Sequence, residues 1–352
     1  MLKILIDGRR AQGPHAGVGH YTESLVRHWP ATDDVTVLTA SRRPAGGFGD
    51  ARIRALAGGA TWNIRAARLA RRTGALFFSP ESFIVPWLIG RRSVITVHDM
   101  TTFDHPEAHT RRNRWVSRAF LPSTLRRVGA IIVPTEAVRA DVLRFFPGLA
   151  PKITVIAEGI RSFGPEPADF PAQPTPYILY VGTIEPRKNV LALIDAFLLA
   201  APADWHLVLG GKVGWLSDAD RERLEQQRLD PRVEILGFVP DEWLGPLYRG
   251  AAFFAYVSES EGFGLPVAEA MAAGVPVIHS DDPALVEVAS GAGIVVRRAA
   301  LADDLRAAIA RATAMHAAER AEHVRLGVAA SAKYDWATAA RESSAVIASV
   351  AP

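Results

Sequence analysis

Tyr177-Ile-Leu-Tyr-Val-Gly-Thr-Ile-Glu-Pro-Arg-Lys-Asn-Val-Leu-Ala-Leu-Ile-Asp-Ala-Phe-Leu198 is the stretch on which the reading of the fold turns. Its first five residues form a short apolar and β-branched run, which reads as a buried strand over Tyr177–Val181. Beyond a turn holding Gly182 and Pro186, the residues Val190, Leu193, Ile194, Phe197 and Leu198 recur at helical spacing, with Asn189 placed to cap the helix. The same strand-then-helix alternation runs through the rest of the chain. Downstream, strands are expected at His206–Gly210, Val233–Phe238, Ala251–Val257, Val275–His279 and Ile294–Val296. Upstream they are expected at Lys3–Asp7, Val35–Thr39, Ala75–Ser79, Ser93–Val97, Ala130–Val133 and Ile153–Ile156, with helices near Gly19–Trp29, Trp62–Thr73, Arg111–Val128 and Glu136–Phe146. Such alternation predicts an α/β protein built on two doubly wound parallel sheets.

A chain of 352 residues suffices for two domains with separate cores. Prolines and glycines cluster from Gly164 to Pro176, which marks a linker and divides the chain into domains at 1–165 and 166–334, followed by an amphipathic helix over Asp335–Val350. The composition, 49% hydrophobic and 22% charged with a mean hydropathy of +0.10, is that of a globular protein and not of a disordered one. The absence of cysteine excludes a disulfide framework, a thiolate metal site and a cysteine nucleophile, and fits a reducing cytoplasm. The opening Met1–Arg10 holds too short an apolar stretch for a signal peptide. The longest apolar runs, Phe83–Ile89 and Ala251–Val257, fall well below the roughly 18 residues of a membrane span, so a cytoplasmic protein is expected.

The net charge of +3 conceals two opposed halves. Residues 1–165 hold 24 lysines and arginines against 12 acids, whereas 166–352 hold 16 against 25. A basic first half, including Arg91, Arg92, Arg111, Arg112 and Arg114, suits an anionic membrane surface or a lipid-linked phosphate; the plainer alternative is arginine decorating solvated helices. No nucleic-acid motif accompanies these residues, so no nucleic-acid partner is expected.

Two constellations carry chemistry. The first is Glu261-Gly-Phe-Gly-Leu-Pro-Val-Ala-Glu269, directly after the apolar run ending at Val257. Pro266 favours a helix start and Gly274 its left-handed stop, so a short helix is expected. Gly262 and Gly264 allow close backbone approach, with Phe263 and Leu265 between and after them, and the amides of the helix start attract an anion such as phosphate. Glu261 and Glu269 would repel phosphate and instead accept hydrogen bonds from sugar or ribose hydroxyls. The plainer alternative is that Glu261 only ends a strand and Glu269 only favours the helix dipole. The second constellation is Gly182-Thr-Ile-Glu-Pro-Arg-Lys-Asn189, where Arg187 and Lys188 stand at a helix mouth beyond the carboxyl end of a strand. Together they would neutralise a diphosphate.

The first domain offers weaker signals. Gly13, Gly17 and Gly19 follow the first strand, but Thr22 stands where a dinucleotide fingerprint needs a small residue, and no acid follows about 20 positions on, which weakens a nicotinamide site. His98 follows the strand Ser93–Val97 at a carboxyl end and is the leading site residue of this half, though a lone histidine is commonly structural. Asp99, Asp104, His105, Glu107 and His109 match no metal-ligand spacing, so no metal site is expected. Asp218-Ala-Asp220 behind Ser217 reads as a capped helix start.

Taken together, Ala16-Gly-Val-Gly-His-Tyr21, Val97-His-Asp-Met100, His105-Pro-Glu107, Tyr180–Asn189, Gly210-Gly-Lys-Val-Gly-Trp215, Leu236-Gly-Phe-Val-Pro240 and the Glu-x7-Glu segment resemble the retaining, nucleotide-sugar-dependent glycosyltransferases of family 4. The resemblance runs almost end to end. It implies the GT-B fold: two Rossmann-like domains facing a central cleft, with the C-terminal helix of about 335–352 packing back on the first. It also implies that Arg187 and Lys188 hold the donor diphosphate, that Glu261 faces the donor sugar and that Glu269 contacts the ribose. His98 would lie near the transferred sugar, and Gly17 and Gly19 beside the diphosphate and acceptor; Gly182, Gly262, Phe263, Gly264 and Leu265 complete the expected donor site. Three segments depart from the family pattern: Ala157-Glu-Gly-Ile160 replaces Asn-Gly-Val-Asp, Val286-Glu287 replaces Pro-Glu, and Thr183 stands where many relatives have Arg.

The expectation is therefore transfer of a hexose such as mannose, or of a deoxysugar, from GDP, UDP or dTDP to a hydroxyl of a glycan or lipid-linked acceptor, with retained configuration. No cofactor and no metal ion are expected, and the enzyme would be cytoplasmic or peripheral at the inner membrane face. The alternatives are a sugar-nucleotide epimerase of the same architecture, a non-catalytic carbohydrate-binding relative and, last, a nicotinamide dehydrogenase.

Overall fold

The structure, a computed structural model, describes residues 2–12, 17–41, 47–56, 59–81, 83–104, 106, 110–171 and 173–351. Gly13, Ala16, His105, Glu107 and His109 lie outside the described residues. The chain divides into two compact units, residues 1–159 with 334–352 and residues 160–333. The boundary thus falls at 159/160 and not at 165/166. The proline-rich stretch 164–176 lies inside the second unit, and the chain returns to the first unit at Tyr334.

The first unit is a seven-stranded parallel sheet. Its strands are β1 (Lys3–Asp7), β2 (Asp34–Thr39), β3 (Arg52–Ala55), β4 (Leu76–Ser79), β5 (Ser93–Thr96), β6 (Ala130–Val133) and β7 (Ile153–Val155), in the order β3-β2-β1-β4-β5-β6-β7. The central strands are buried throughout, as a parallel sheet covered on both faces requires. Helices α1 (Val18–Arg27), α2 (Trp62–Thr73), α3 (Ile84–Ile89), α4 (Thr101–Asp104), α5 (Arg111–Arg127) and α6 (Glu136–Phe145) connect the strands. Trp62, Ala66, Ala67 and Ala70 of α2 close one core with Leu5, Leu38 and Phe77, while Leu121 and Leu125 of α5 close another with Ile95, Ile131 and Val142. Strand β3 escapes sequence reading because Arg52-Ile-Arg-Ala55 is an exposed edge strand, where alternation against a core never develops.

The second unit repeats the plan with six parallel strands: β8 (Tyr177–Val181), β9 (His206–Gly210), β10 (Val233–Gly237), β11 (Phe253–Tyr256), β12 (Val277–Ser280) and β13 (Ile294–Val296), ordered β10-β9-β8-β11-β12-β13. Helix α7 (Val190–Ala200) follows β8, α8 (Asp218–Gln227) follows β9, and α9 (Asp241–Gly250) follows β10; then come α10 (Leu265–Ala272), α11 (Pro283–Ala289), α12 (Leu301–Thr313) and α13 (Ala317–Ser331). Ser217 caps α8 by accepting from the Asp220 amide. Asn189 does not cap α7: its backbone is left-handed at φ 54°, and its side-chain amide donates to the Val257 carbonyl at 3.0 Å and to Glu259 at 2.7 Å. It spends its polar group tying two strand-end loops together.

The tail helix α14 (Trp336–Ser349) belongs to the first unit. Asp335 caps it, the buried Trp336 meets the rings of His20 and Tyr21 edge-on at 5.8 Å, and Ser344 donates to Asp33. Gly159 is required there, since a Cβ at that position would lie 2.4 Å from the Trp336 backbone nitrogen.

Candidate active site

In a doubly wound sheet, ligands bind beyond the strand carboxyl ends where the strand order reverses. In the second unit that reversal lies between β8 and β11. The loops leaving these two strands are Gly182–Asn189 and Val257–Gly264, so topology brings the two chemical constellations of the sequence to one place. Backbone and side-chain bonds strap them together: the Glu259 amide donates to the Arg187 carbonyl at 2.8 Å, and the Ser258 hydroxyl donates to the same carbonyl at 3.2 Å.

Lys188 and Arg187 converge on Glu261. The Lys188 ammonium is hydrogen-bonded to Glu261 Oε1 and to the Tyr256 hydroxyl at 2.7 Å, and Arg187 Nη1 lies 3.6 Å from the same carboxylate oxygen. Arg187 also donates to Glu185 at 2.9 Å and to the Ser260 carbonyl. Lys188 and Glu261 are both nearly buried. Burial lowers the Lys188 pKa, only partly offset by Glu261. For Glu261, burial opposes ionisation, but Lys188 and Arg187 outweigh it and hold the carboxyl below its ordinary range. Burial likewise pushes the Tyr180 and Tyr256 phenols well up, so both stay protonated. Their rings stack at 5.7 Å and carry the Lys188 ammonium 5.0 Å from the Tyr256 centroid.

The glycines shape the backbone around this cluster. Gly264 precedes α10 at φ 91°, and a Cβ there would meet Leu285 Cδ2 at 2.3 Å. The Gly182 amide donates to the Gly210 carbonyl at 2.8 Å, and a Cβ on Gly211 would fall 1.9 Å from the Gly182 carbonyl oxygen. Leu265 and Pro266 open α10; the Val267 amide donates to the Gly264 carbonyl at 2.9 Å and Pro266 has no N–H, so in the first turn the Leu265 amide is the donor left to favour an anion. The Phe263 side chain is buried, so a ligand at this position would meet backbone.

Glu269, one turn into α10, stands apart from the Lys188–Glu261 cluster in its partners. Its Oε1 accepts from Arg161 Nε at 2.6 Å and its Oε2 from the Tyr248 hydroxyl at 3.1 Å, while Arg161 also pairs with Asp241 at 2.9 Å. Burial raises the Glu269 pKa, against the opposing pull of Arg161. Sequence reasoning missed Arg161, Tyr248 and Tyr256. The only signal for Arg161 was its place directly after the atypical Ala157–Ile160.

In the first unit the strand order reverses between β1 and β4. His98, just past β5, is largely buried; its Nδ1 lies 3.1 Å from Glu158 and its Nε2 2.9 Å from the Pro80 carbonyl. It lines a cavity of about 280 Å³ with Arg10, Glu81, Phe83, Asp99 and Ser117 among others. Gly17 stands directly before α1 at φ 57° with no atom of the described residues within 4 Å of a Cβ built there, whereas Gly19 lies within α1. The Asp99 carboxylate accepts from the Thr101 amide at 2.9 Å, and that of Asp104 from Arg144 at 2.6 Å.

Residues 15–162 match the family model described as Glycosyltransferase Family 4, and residues 175–314 that described as Glycosyl transferases group 1. Among curated relatives, the chain is 35% identical over 220 residues to the O-antigen chain mannosyltransferase B of Escherichia coli, covering 58% of this chain and 57% of that one. The chain therefore spans little more than half the length of that relative. It is 29% identical over 289 residues to a GDP-mannose:cellobiosyl-diphosphopolyprenol alpha-mannosyltransferase of Xanthomonas oryzae, covering 78% of this chain and 72% of the relative. Among solved structures, the sucrose-phosphate synthase of Thermosynechococcus elongatus superposes with a TM-score of 0.79 at 20% identity over 99% of both chains. The glycosyltransferase WaaG superposes with a TM-score of 0.75 at 13% identity over 98% of this chain and 99% of that one. At such identities these structures establish the fold alone, which is GT-B. With the two family models spanning most of its length in succession and mannosyltransferases among its relatives, the chain belongs to the family 4 glycosyltransferases.

Proposed function

We propose that this protein is a retaining glycosyltransferase that moves a sugar from a nucleoside diphosphate to a hydroxyl of a glycan or lipid-linked acceptor, without a metal ion. The observation that carries this reading is the convergence of Arg187 and Lys188 on Glu261 at the β8/β11 switch point, beside the glycine-led start of α10. On departure the diphosphate takes the electron pair of the glycosidic bond and gains charge. Two preorganised cations and a helix start stabilise that charge more than they stabilise the ground state. Glu261, held by Lys188, accepts from donor-sugar hydroxyls, and Glu269 accepts from the ribose. Because the Glu261 charge is already neutralised by two cations, it is a poor nucleophile. This favours front-face transfer, in which the acceptor oxygen bonds the anomeric carbon on the face the phosphate leaves and passes its proton to the phosphate.

Mannose on GDP is the favoured donor, and a diphosphopolyprenol-linked glycan the favoured acceptor class, because one relative bears both in its name and another is named an O-antigen mannosyltransferase. UDP and dTDP sugars are the competing donors. A peripheral position at the inner membrane face is supported by the basic first half and by α5, which leaves Trp115 68% exposed beside Arg114. Among the described residues no helix is long and apolar enough to cross a membrane.

The test is a panel of labelled GDP, UDP and dTDP sugars with membrane lipid extract, read by mass spectrometry of the lipid-linked product and by anomeric NMR couplings. Mannosyl transfer with an α-linked product, unaffected by EDTA, is expected. Turnover of donor with no acceptor present, giving an epimeric sugar nucleotide, would replace this reading with that of an epimerase. Failure to bind any nucleoside diphosphate would reject both.

A further inference from the structure

Glu158 lies in the segment that departs from the family pattern, and it is one of few carboxylates in the first unit that are buried, at 5% exposure. It faces His98 Nδ1 at 3.1 Å, while the other ring nitrogen faces the Pro80 carbonyl at 2.9 Å. A carbonyl and an ionised carboxylate can only accept. A neutral imidazole has one N–H and would turn a lone pair toward one of these acceptors; an imidazolium satisfies both. From α1, Tyr21 offers His98 only its ring, edge-on at 4.7 Å, with its hydroxyl turned to Thr96 at 3.1 Å. Asp99 beside His98 adds negative charge, and the Arg10–Glu81 ion pair lines the same cavity. Burial works against the imidazolium, yet Glu158 and Asp99 outweigh it and raise the pKa of His98.

We propose that Glu158 is a positioning residue for glycosyl transfer, fixing His98 as an imidazolium whose two N–H groups are both committed, so that the ring serves as a placed positive charge and not as a base. The inference rests on the reading above that His98 lies near the transferred sugar. With Nδ1 and Nε2 both turned inward, neither nitrogen can take the acceptor proton. The ring contributes its charge to the first-unit cavity that it lines with Thr96, Asp99 and Ser117.

Glu158→Gln keeps the shape of the site and removes its charge. The amide can then donate to Nδ1 of a neutral ring while Nε2–H still donates to Pro80. Two readouts on the full chain decide the matter: the ¹⁵N shifts of His98, identified with a His98→Gln variant, and kcat for transfer, both followed from pH 5 to 9. In the wild type, His98 titrates above the ordinary imidazole range and kcat falls on the alkaline side as the ring loses its proton. In E158Q both the titration and the fall in kcat move down together by about one to two pH units, as expected on losing a charge partner at contact distance. Glu158→Asp restores part of the shift. A wild-type His98 that titrates at or below the ordinary imidazole range overturns the inference, as does kcat rising when the ring deprotonates, the mark of a base. So does active E158Q whose pH profile is unmoved. A chain that titrates as expected but transfers no sugar overturns the proposed function itself, and the catalytic use of this charge with it.

Discussion

Replacing Lys188 with Met separates the structural and catalytic roles of the buried cation. The Lys188 and Glu261 side chains are 10% and 12% exposed, so removing the lysine leaves a carboxylate in low dielectric without its contact partner. Breaking a buried pair in this way costs about 3–5 kcal/mol. Arg187 Nη1 remains 3.6 Å from Glu261 Oε1. A charge pair near that distance is worth up to about 4 kcal/mol at an effective dielectric constant of about 20, so the lower figure, about 3 kcal/mol, applies. For a unit of this size each kcal/mol moves the midpoint by about 2–4 °C, giving a fall of about 6–12 °C in thermal denaturation. The double variant K188M/E261Q removes the stranded charge and should recover the midpoint to within a few degrees. Transfer should not recover: losing one donor to developing negative charge costs about 10²–10³ in kcat, and the donor is missing in both variants. A midpoint for K188M within 1 °C of wild type would refute the burial argument, and kcat returning with the midpoint would show Lys188 to be structural only.

Further outcomes follow from other parts of the structure. Asp282, which caps α11 and lies near Glu261, has its pKa pushed up by burial to about 6. A carboxyl whose pKa is raised on folding stabilises when protonated, and that contribution is lost as pH rises through about 6. Asp282→Asn keeps the cap and should therefore stabilise by about 2–3 kcal/mol at pH 7.5, with no gain below pH 4; equal gain at both pH values in denaturant titrations would refute this. Gly264→Ala must place a side chain at φ 91° against Leu285. It should cost about 1–3 kcal/mol of strain and reduce the midpoint gain produced by saturating GDP or UDP; an undiminished gain would exclude this turn from the donor site. Trp336→Ala should cost about 3–5 kcal/mol, because the ring is buried against His20 and Tyr21, and loss of under 1 kcal/mol in urea unfolding would mean α14 is not docked as described.

Strand and helix identity was largely legible because parallel strands buried on both faces must be continuous short apolar runs. Tyr177–Val181, His206–Gly210 and Ala130–Val133 therefore declared themselves to the residue. Strand β3 did not, since an exposed edge strand needs no apolar face, nor did α3, whose Ile84–Ile89 is too short for a helical period to show. Asn189 was placed correctly before a helix but given the wrong task, because capping is a local habit and its bonds to Val257 and Glu259 come from a loop some 70 residues away.

The sequence by itself determined the residue types of the site: two adjacent cations after one strand, and two carboxylates spaced by a glycine-led turn after another. Local spacing carries that information, since each motif is a loop and a helix start. Which charges meet was decided by tertiary structure alone. The switch point between β8 and β11 puts Lys188 on Glu261, the packing of α9 and α10 gives Glu269 to Tyr248 and Arg161, and the loop past β7 gives His98 its Glu158. A buried charge takes its partner from whatever the fold brings within about 3 Å, and sequence separation carries no record of that distance.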